Sequence, residues 1–363
     1  MASQTLHLSW HNPVKISWGC GAFNALQFNQ PLVLIADRGA LGGENEKFLR
    51  GLLEDHCKSI AWFEGGLASV EKAKELCDCL WPVLDQYPDC LVLAVGGGST
   101  LDLAKAVRFR LPSEISAEQV WRTNQLPDSF HRHPLWLIPS TAGTGSEVTP
   151  WATLWDTLAP QPQKLSWSPT NGFAERAIID PDLSRSCPLS LSRDCALDSL
   201  AHALESLWNI NRTPITEALA IEAACTVIAQ LPALLHCDEN YEAQTELARA
   251  SLLAGLAMSQ TRTALAHALS YQLTLDENLP HGHAVAVWLP MVWDIAIKSS
   301  TDCQKSLSQI FENSSDFGVT EIHQWICAVG IEPRELRTTD AGRHQLINEL
   351  SSARGRNFLG TYL

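Results

Sequence analysis

The chain has 363 residues, more than one ordinary domain needs, and its 45% hydrophobic content suffices for two cores. A formal charge of −14 disfavours nonspecific binding to nucleic acid or to anionic membranes. Apolar runs stay well short of the roughly eighteen residues of a membrane span, Met1–His7 lacks the regions of a secretory signal, and eleven cysteines lie scattered without a C-x-x-C pair, so a cytoplasmic protein with reduced thiols is expected.

In chain order, apolar runs at Leu32–Ala36, Ser59–Phe63, Leu91–Val95, Leu135–Ile138 and Ala177–Ile179 read as buried strands separated by helical patterns. That alternation predicts an α/β domain over residues 1–183, a parallel sheet with helices on both faces. Beyond it the strand signals fade. Pro214–Ala233, Tyr241–Met258 and Val285–Lys298 carry the spacing of packed helices, which predicts an all-α second domain over residues 184–363. Leu158–Pro162 and Asp180-Pro181 read as connections.

Two loops in the first half suit an anion. The strand ending at Val95 runs into Gly96-Gly97-Gly98-Ser99-Thr100 and then a helix-like stretch containing Asp102, the strand–turn–helix order of a phosphate cradle. The second loop, Pro139-Ser140-Thr141-Ala142-Gly143-Thr144-Gly145-Ser146, follows the strand at Leu135–Ile138. Candidate nucleotide contacts are therefore Gly96, Gly97, Gly98, Ser99, Asp102, Ser140, Thr141, Thr144 and Ser146. Asp37 ends the strand Leu32–Ala36, where a carboxylate can accept from a ribose diol and repel a 2′-phosphate, favouring NAD. Arg38 beside it leaves NADP open. Asp37 also suits a plain strand-end turn.

The second half offers a ligand set for a metal. Asp198 and His202 are four residues apart in an apolar-periodic segment, so both leave one helix face. His267 lies in another helical stretch, and His281 follows Pro280 fourteen residues later. Each imidazole alone also suits a core helix. One oxygen with three nitrogens suits Fe2+ or Zn2+, and an open position would let the ion act as a Lewis acid.

The run Asp194-Cys-Ala-Leu-Asp198-Ser-Leu-Ala-His202-Ala-Leu-Glu205, the step from His267 to Pro280-His281-Gly282 and the loop Pro139–Thr149 resemble the iron-dependent (group III) alcohol dehydrogenases, as does Gly19-Cys-Gly21 after Lys15–Trp18. The resemblance covers nearly the whole chain. It implies that Asp198, His202, His267 and His281 hold the metal, that NAD binds the first domain, and that a small alcohol or aldehyde reacts in a cleft between the domains. It also implies a homo-oligomer.

One position departs from that family. Four residues after the third ligand the family commonly has a proton-relaying His; here Tyr271 stands there, and Tyr271 and His283 are the candidate relays. The stretch Gln260–Tyr271 with Pro280–His283 resembles the subgroup of phosphonate metabolism, which implies interconversion of phosphonoacetaldehyde and 2-hydroxyethylphosphonate. Arg262 and Thr263, expected at a helix start, are candidates for the phosphonate. Arg354-Gly-Arg356-Asn357 reads as a further anion contact or a solvated end. A lyase resembling 3-dehydroquinate synthase shares the architecture, but its polyanionic substrate calls for more clustered Lys and Arg.

Overall fold

All five expected strands, joined by Lys15–Trp18, form one sheet in the order Lys15–Trp18, Arg176–Ile179, Leu135–Pro139, Leu91–Gly96, Leu32–Asp37, Cys57–Phe63, and every pairing is parallel. The computed structural model describes residues 9–41, 51, 56–311 and 314–360; Met1–His7, read above for a signal, lie outside the described residues. Successive residues in the central strands alternate between two cores. Leu32, Leu34, Ala36, Leu91, Leu93 and Val95 pack with Phe23, Leu26 and Leu183. Val33, Ile35, Val92 and Ala94 pack with Ala73 and Leu80 of the helix Val70–Gln86 and with Leu101 and Ala104 of the helix Gly98–Val107. Coverage on both faces is why these strands read as continuous apolar runs.

The register sets the carboxyl edge of the sheet. Ala36 pairs with Val95 and Gly96 with Pro139, so Asp37, Gly96 and the start of the second loop come side by side. From Leu32–Asp37 the chain steps outward to Cys57–Phe63 and then returns to Leu91–Gly96 on the opposite side. Asp37 and Gly96 thus flank the point where strand order reverses, which is where open α/β sheets take their ligands.

Several boundaries differ from expectation. Leu158–Pro162 falls within the tip of an antiparallel hairpin, Ala152–Asp156 with Gln163–Trp167, too short for its alternation to stand out. The run Val285–Lys298 is two helices, His281–Ala286 and Leu289–Ser299, because Pro290 lacks an N–H and its ring clashes with a preceding turn, so it opens a helix instead of sitting inside one. The helix Tyr241–Thr261 continues through the polar residues Ser259-Gln260-Thr261.

Two compact units emerge, and they do not follow a single division after residue 183. One comprises Pro13–Cys195 with Ala233–Leu252 and contains the sheet; the other comprises, among the described residues, 9–12, Ala196–Pro232 and the residues from Leu253 onward, and its elements are helices. The boundaries fall inside the helices Leu189–Leu207, Pro214–His236 and Tyr241–Thr261, where no composition change marks them. Among the described helices Pro214–His236 is the one long and apolar enough to cross a membrane. Its Ala220, Ala223, Ala224, Val227 and Leu231 are buried at the three- and four-residue spacing of a packed helix.

Candidate metal centre and nucleotide loops

The helix Leu189–Leu207 presents Asp198, His202 and Glu205 at positions i, i+4 and i+7, one face of two turns. His267 comes from the first turn of Leu265–Asp276, and His281 opens the helix that follows Pro280. The Oδ1 atom of Asp198 lies 3.5 Å from Nε2 of His202, 3.4 Å from Nε2 of His267 and 3.9 Å from Nε2 of His281. Asp198, His267 and His281 each offer one ligand atom within 4.8 Å of the others, and His202 joins through Asp198, its ring stacked 4.9 Å from that of His267.

Those spacings can be tested against an ion. Bonds of about 2.0–2.2 Å in a tetrahedral site put neighbouring donors about 3.3–3.6 Å apart, close to the observed 3.4–3.9 Å. Asp198 Oδ1 and His267 Nε2 are fully enclosed and meet no hydrogen-bond partner beyond the long contacts within the cluster, an arrangement that a shared cation would satisfy. The residues therefore fit a first-row divalent cation. Asp198, His202 and His267 are buried while the His281 side chain is 27% exposed, so the cluster opens on the His281 side.

Electrostatics follow the same geometry. Burial pushes the Asp198 carboxyl up, but His202, His267 and His281 outweigh it and hold the group well below the usual carboxylate range. Glu205, which sequence reasoning passed over, is completely buried. Its Oε2 accepts from the Ala264 N–H at 2.6 Å and lies 2.8 Å from His267 Nδ1, while Oε1 accepts from the His267 N–H at 3.0 Å. One carboxylate thus fills the start of the ligand helix and holds the ring that leaves His267 Nε2 toward Asp198. Burial raises the Glu205 pKa, His267 and the two N–H groups lower it further, and the net direction is down. The signal was its spacing, seven residues after Asp198.

The relay candidates part company. Tyr271 lies one turn beyond His267, with its ring 6.4 Å from that of His281 and inclined by 16°. Burial pushes the phenol up and outweighs Arg354, which opposes it, so the net direction is toward the protonated form. His283 sits two residues after His281 in a short helix, and i, i+2 side chains leave different faces.

Arg262 is corrected. It does not open a helix but closes Tyr241–Thr261: its N–H donates to Met258 O at 2.7 Å, its φ is +64°, and it is exposed. Ser259 Oγ and Thr261 Oγ1 donate back to the carbonyls of Leu256 and Ala257, so these polar side chains are accommodated inside the last turn of that helix. The N–H groups expected to bind a phosphonate are the ones Glu205 takes. Thr263 is buried; its Oγ1 accepts from Arg354 Nη1 and its carbonyl from Asn357 Nδ2 at 2.8 Å.

At the sheet edge, Gly97 starts the helix Gly98–Val107 and no side chain caps it. A Cβ on Gly98 would lie 2.4–2.9 Å from three side-chain atoms of Thr144, so the two loops meet here only because Gly98 lacks a side chain; one on Gly96 would lie 2.5 Å from Thr100 Oγ1 of its own loop. Ser140 N–H donates to Gly96 O at 2.9 Å, and Thr141 lies against Gly97. Ser99 is in the first turn of the uncapped helix. Asp37 Oδ1 accepts from the Gly39 N–H at 2.8 Å, closing the strand-end turn.

Asp102 and Ser146 are turned into the protein. Asp102 accepts from Ser146 Oγ at 2.6 Å and from the Thr153 N–H at 2.8 Å, while Lys105 Nζ donates to Ser146 Oγ at 2.8 Å and to Trp151 O at 2.6 Å. Burial pushes the Lys105 ammonium down, opposed by Asp102, and pushes the Glu147 carboxyl up to about 7. Neither Lys105 nor Glu147 was singled out in the sequence, where each reads as a solvated charge.

The model of the iron-containing alcohol dehydrogenases matches residues 13–181, and the model of the C-terminal part of the Fe-containing alcohol dehydrogenase family matches residues 193–334. The probable alcohol dehydrogenase EutG of Escherichia coli is 33% identical over 67% of the chain and 61% of its own length. The sulfoacetaldehyde reductase of Bilophila wadsworthia is 32% identical over 55% of the chain and 51% of its own length. The matched stretches thus span between half and two thirds of those relatives. In fold, the sulfoacetaldehyde reductase of Bifidobacterium kashiwanohense in complex with NAD+ superposes with a TM-score of 0.84 at 23% identity, over 97% of this chain and 94% of that one. With two family models matching in succession over most of the chain and a relative 33% identical over two thirds of it, the chain belongs to the iron-containing alcohol dehydrogenase family.

Proposed function

We propose that this protein is a cytoplasmic, metal-dependent, NAD-linked alcohol dehydrogenase or aldehyde reductase acting on a small substrate with an anionic tail, interconverting phosphonoacetaldehyde and 2-hydroxyethylphosphonate. The observation that carries the dehydrogenase reading is the enclosed pair Asp198 Oδ1 and His267 Nε2, set among His202 and His281 at the spacing of donors around one ion. A divalent ion there supplies Lewis acidity toward a carbonyl oxygen, and a nicotinamide supplies the hydride. The protein's own groups do the rest. Glu205 orients His267, and Tyr271, kept protonated by burial, donates the proton that the product oxygen requires. Gly96–Gly98, Ser99, Ser140, Thr141 and Thr144 receive the pyrophosphate at the uncapped helix start, Asp37 selects the ribose, and Asp102 and Ser146 brace the loops through Lys105.

The anionic tail has separate support: a reductase of a two-carbon aldehyde bearing a sulfonate recurs among the sequence relatives and the structural neighbours. That observation favours sulfoacetaldehyde as the second reading. The test is an anaerobic assay of phosphonoacetaldehyde, sulfoacetaldehyde and propanal with NADH and NADPH, supplied with Fe2+ or Zn2+. Steady NADH consumption with a higher kcat/KM for phosphonoacetaldehyde supports the proposal. Equal use of propanal removes the tail from it, and no nicotinamide oxidation with any aldehyde returns the lyase reading.

A further inference from the structure

Arg354 occupies a place that no carboxylate claims. It is half-buried, its Nη1 donates to Thr263 Oγ1, and its guanidinium lies 5.1 Å over the ring of Tyr271. Among the described residues it has no ion-pair partner, although most other arginines of the helical unit do, such as Arg334 with Glu277 and Arg337 with Asp294 and Glu335. A partly desolvated cation without a counter-ion is costly unless a ligand anion completes it. The planar fork of donors stacked on an aromatic ring suits a tetrahedral oxyanion held by two parallel hydrogen bonds.

Its position is built. Asn357 Nδ2 donates to Thr263 O at 2.8 Å, Ile210 N–H donates to Asn357 O at 2.8 Å, and Leu359 N–H donates to Trp208 O at 2.9 Å, so the segment carrying Arg354 is pinned at three points. Gly355 allows this, since a Cβ there would lie 1.8 Å from Glu349 O. From the guanidinium the path to the metal cluster runs through one ring: Tyr271 lies under Arg354 and faces His281, and His281 is the ligand on the open side. The nearby half-buried Glu349 makes no ion pair with Arg354, and burial pushes its carboxyl up toward the neutral form.

We infer that Arg354, braced by Thr263 and stacked on Tyr271, is the residue that reads the anionic tail of the substrate, in the role expected above of Arg262. The inference rests on the reductase reading above and names the group that selects the phosphonate or sulfonate. Thr263 serves as the platform. Arg262, exposed at the end of the preceding helix, takes no part.

The test compares kcat/KM for phosphonoacetaldehyde, sulfoacetaldehyde and propanal in the metal-loaded protein and in Arg354→Ala, Arg354→Lys and Arg262→Gly, the last chosen because glycine tolerates the positive φ. In Arg354→Ala the preference for a tailed aldehyde over propanal should fall on the order of 30-fold, mainly through KM, as expected for losing a charge-assisted contact. Arg354→Lys should keep part of the preference, because charge remains while the fork is lost. Added guanidinium chloride should restore part of it to Arg354→Ala, and Arg262→Gly should retain it. The two tailed substrates separate phosphonate from sulfonate. A preference that survives in Arg354→Ala overturns this inference while the reductase reading stands, as does an equal loss with propanal, which would mark a structural role. A parent protein with no preference for either tail overturns this inference and the anionic-tail substrate together, while the general reductase reading falls only if no aldehyde is reduced.

Discussion

Two helix starts in this molecule, neither capped by the side chain of its own N-cap residue, differ in use. Gly98–Val107 begins on the third of three glycines with no side chain capping its first N–H groups, whereas Leu265–Asp276 begins with the Glu205 carboxylate already bound to the N–H groups of Ala264 and His267. Both ends carry the partial positive charge that favours an anion. The first is open to a ligand; the second is occupied by a carboxylate that also holds the ring of His267, a candidate metal ligand. A helix start is free to take an external anion only where no internal carboxylate has filled it.

The comparison can be broken at either end, and the filled start gives the larger effect. Glu205→Gln removes the charge that holds His267 and leaves an amide facing two N–H donors, so affinity for Fe2+ or Zn2+ should fall by up to about 100-fold, measured by competition with a chelator. Unchanged metal affinity would mean that Glu205 serves the helix alone. At the open start, Gly98→Ala drives a Cβ into Thr144, and because the Thr144 Cβ itself lies 2.9 Å away, rotating the side chain gives no relief. NADH binding, followed by nicotinamide fluorescence, should weaken roughly 30-fold with metal content retained.

Smaller changes sharpen the picture. Asp37→Gly should raise the NADPH-to-NADH ratio of kcat/KM by about tenfold, because a charge that repels a 2′-phosphate is removed; a constant ratio would leave Asp37 only its turn with Gly39. Glu147→Gln should alter turnover least and show in stability. The Glu147 pKa is raised from 4.5 to about 7 in the folded protein, so the folded state binds the proton more tightly. The parent therefore loses stability as pH rises from about 4.5 to 7, by up to about 3 kcal/mol. The glutamine variant should lack that loss in denaturant melts across the same range.

How much was legible depended on whether the relevant partner was local. Asp198 and His202 declare themselves by a four-residue spacing, and the strands by runs of apolar residues, because helix faces and buried strands impose short periods. Glu205 acts on residues 59 and 62 positions away, so nothing beside it in the chain reveals its use. Arg262 was misplaced because Ser259 and Thr261 resemble a loop yet satisfy helix carbonyls with their own hydroxyls. Arg354 sits in a polar terminal segment whose value comes from Thr263, 91 residues earlier.

The central claim is that Asp198, His202, His267 and His281 hold one metal ion, and elemental analysis tests it most directly. Protein purified and reconstituted anaerobically with Fe2+ or Zn2+ should retain about one ion per chain after gel filtration, while His267→Ala and His281→Ala, folded by circular dichroism, should retain well under a tenth of that. Full metal content in both variants would contradict the assignment.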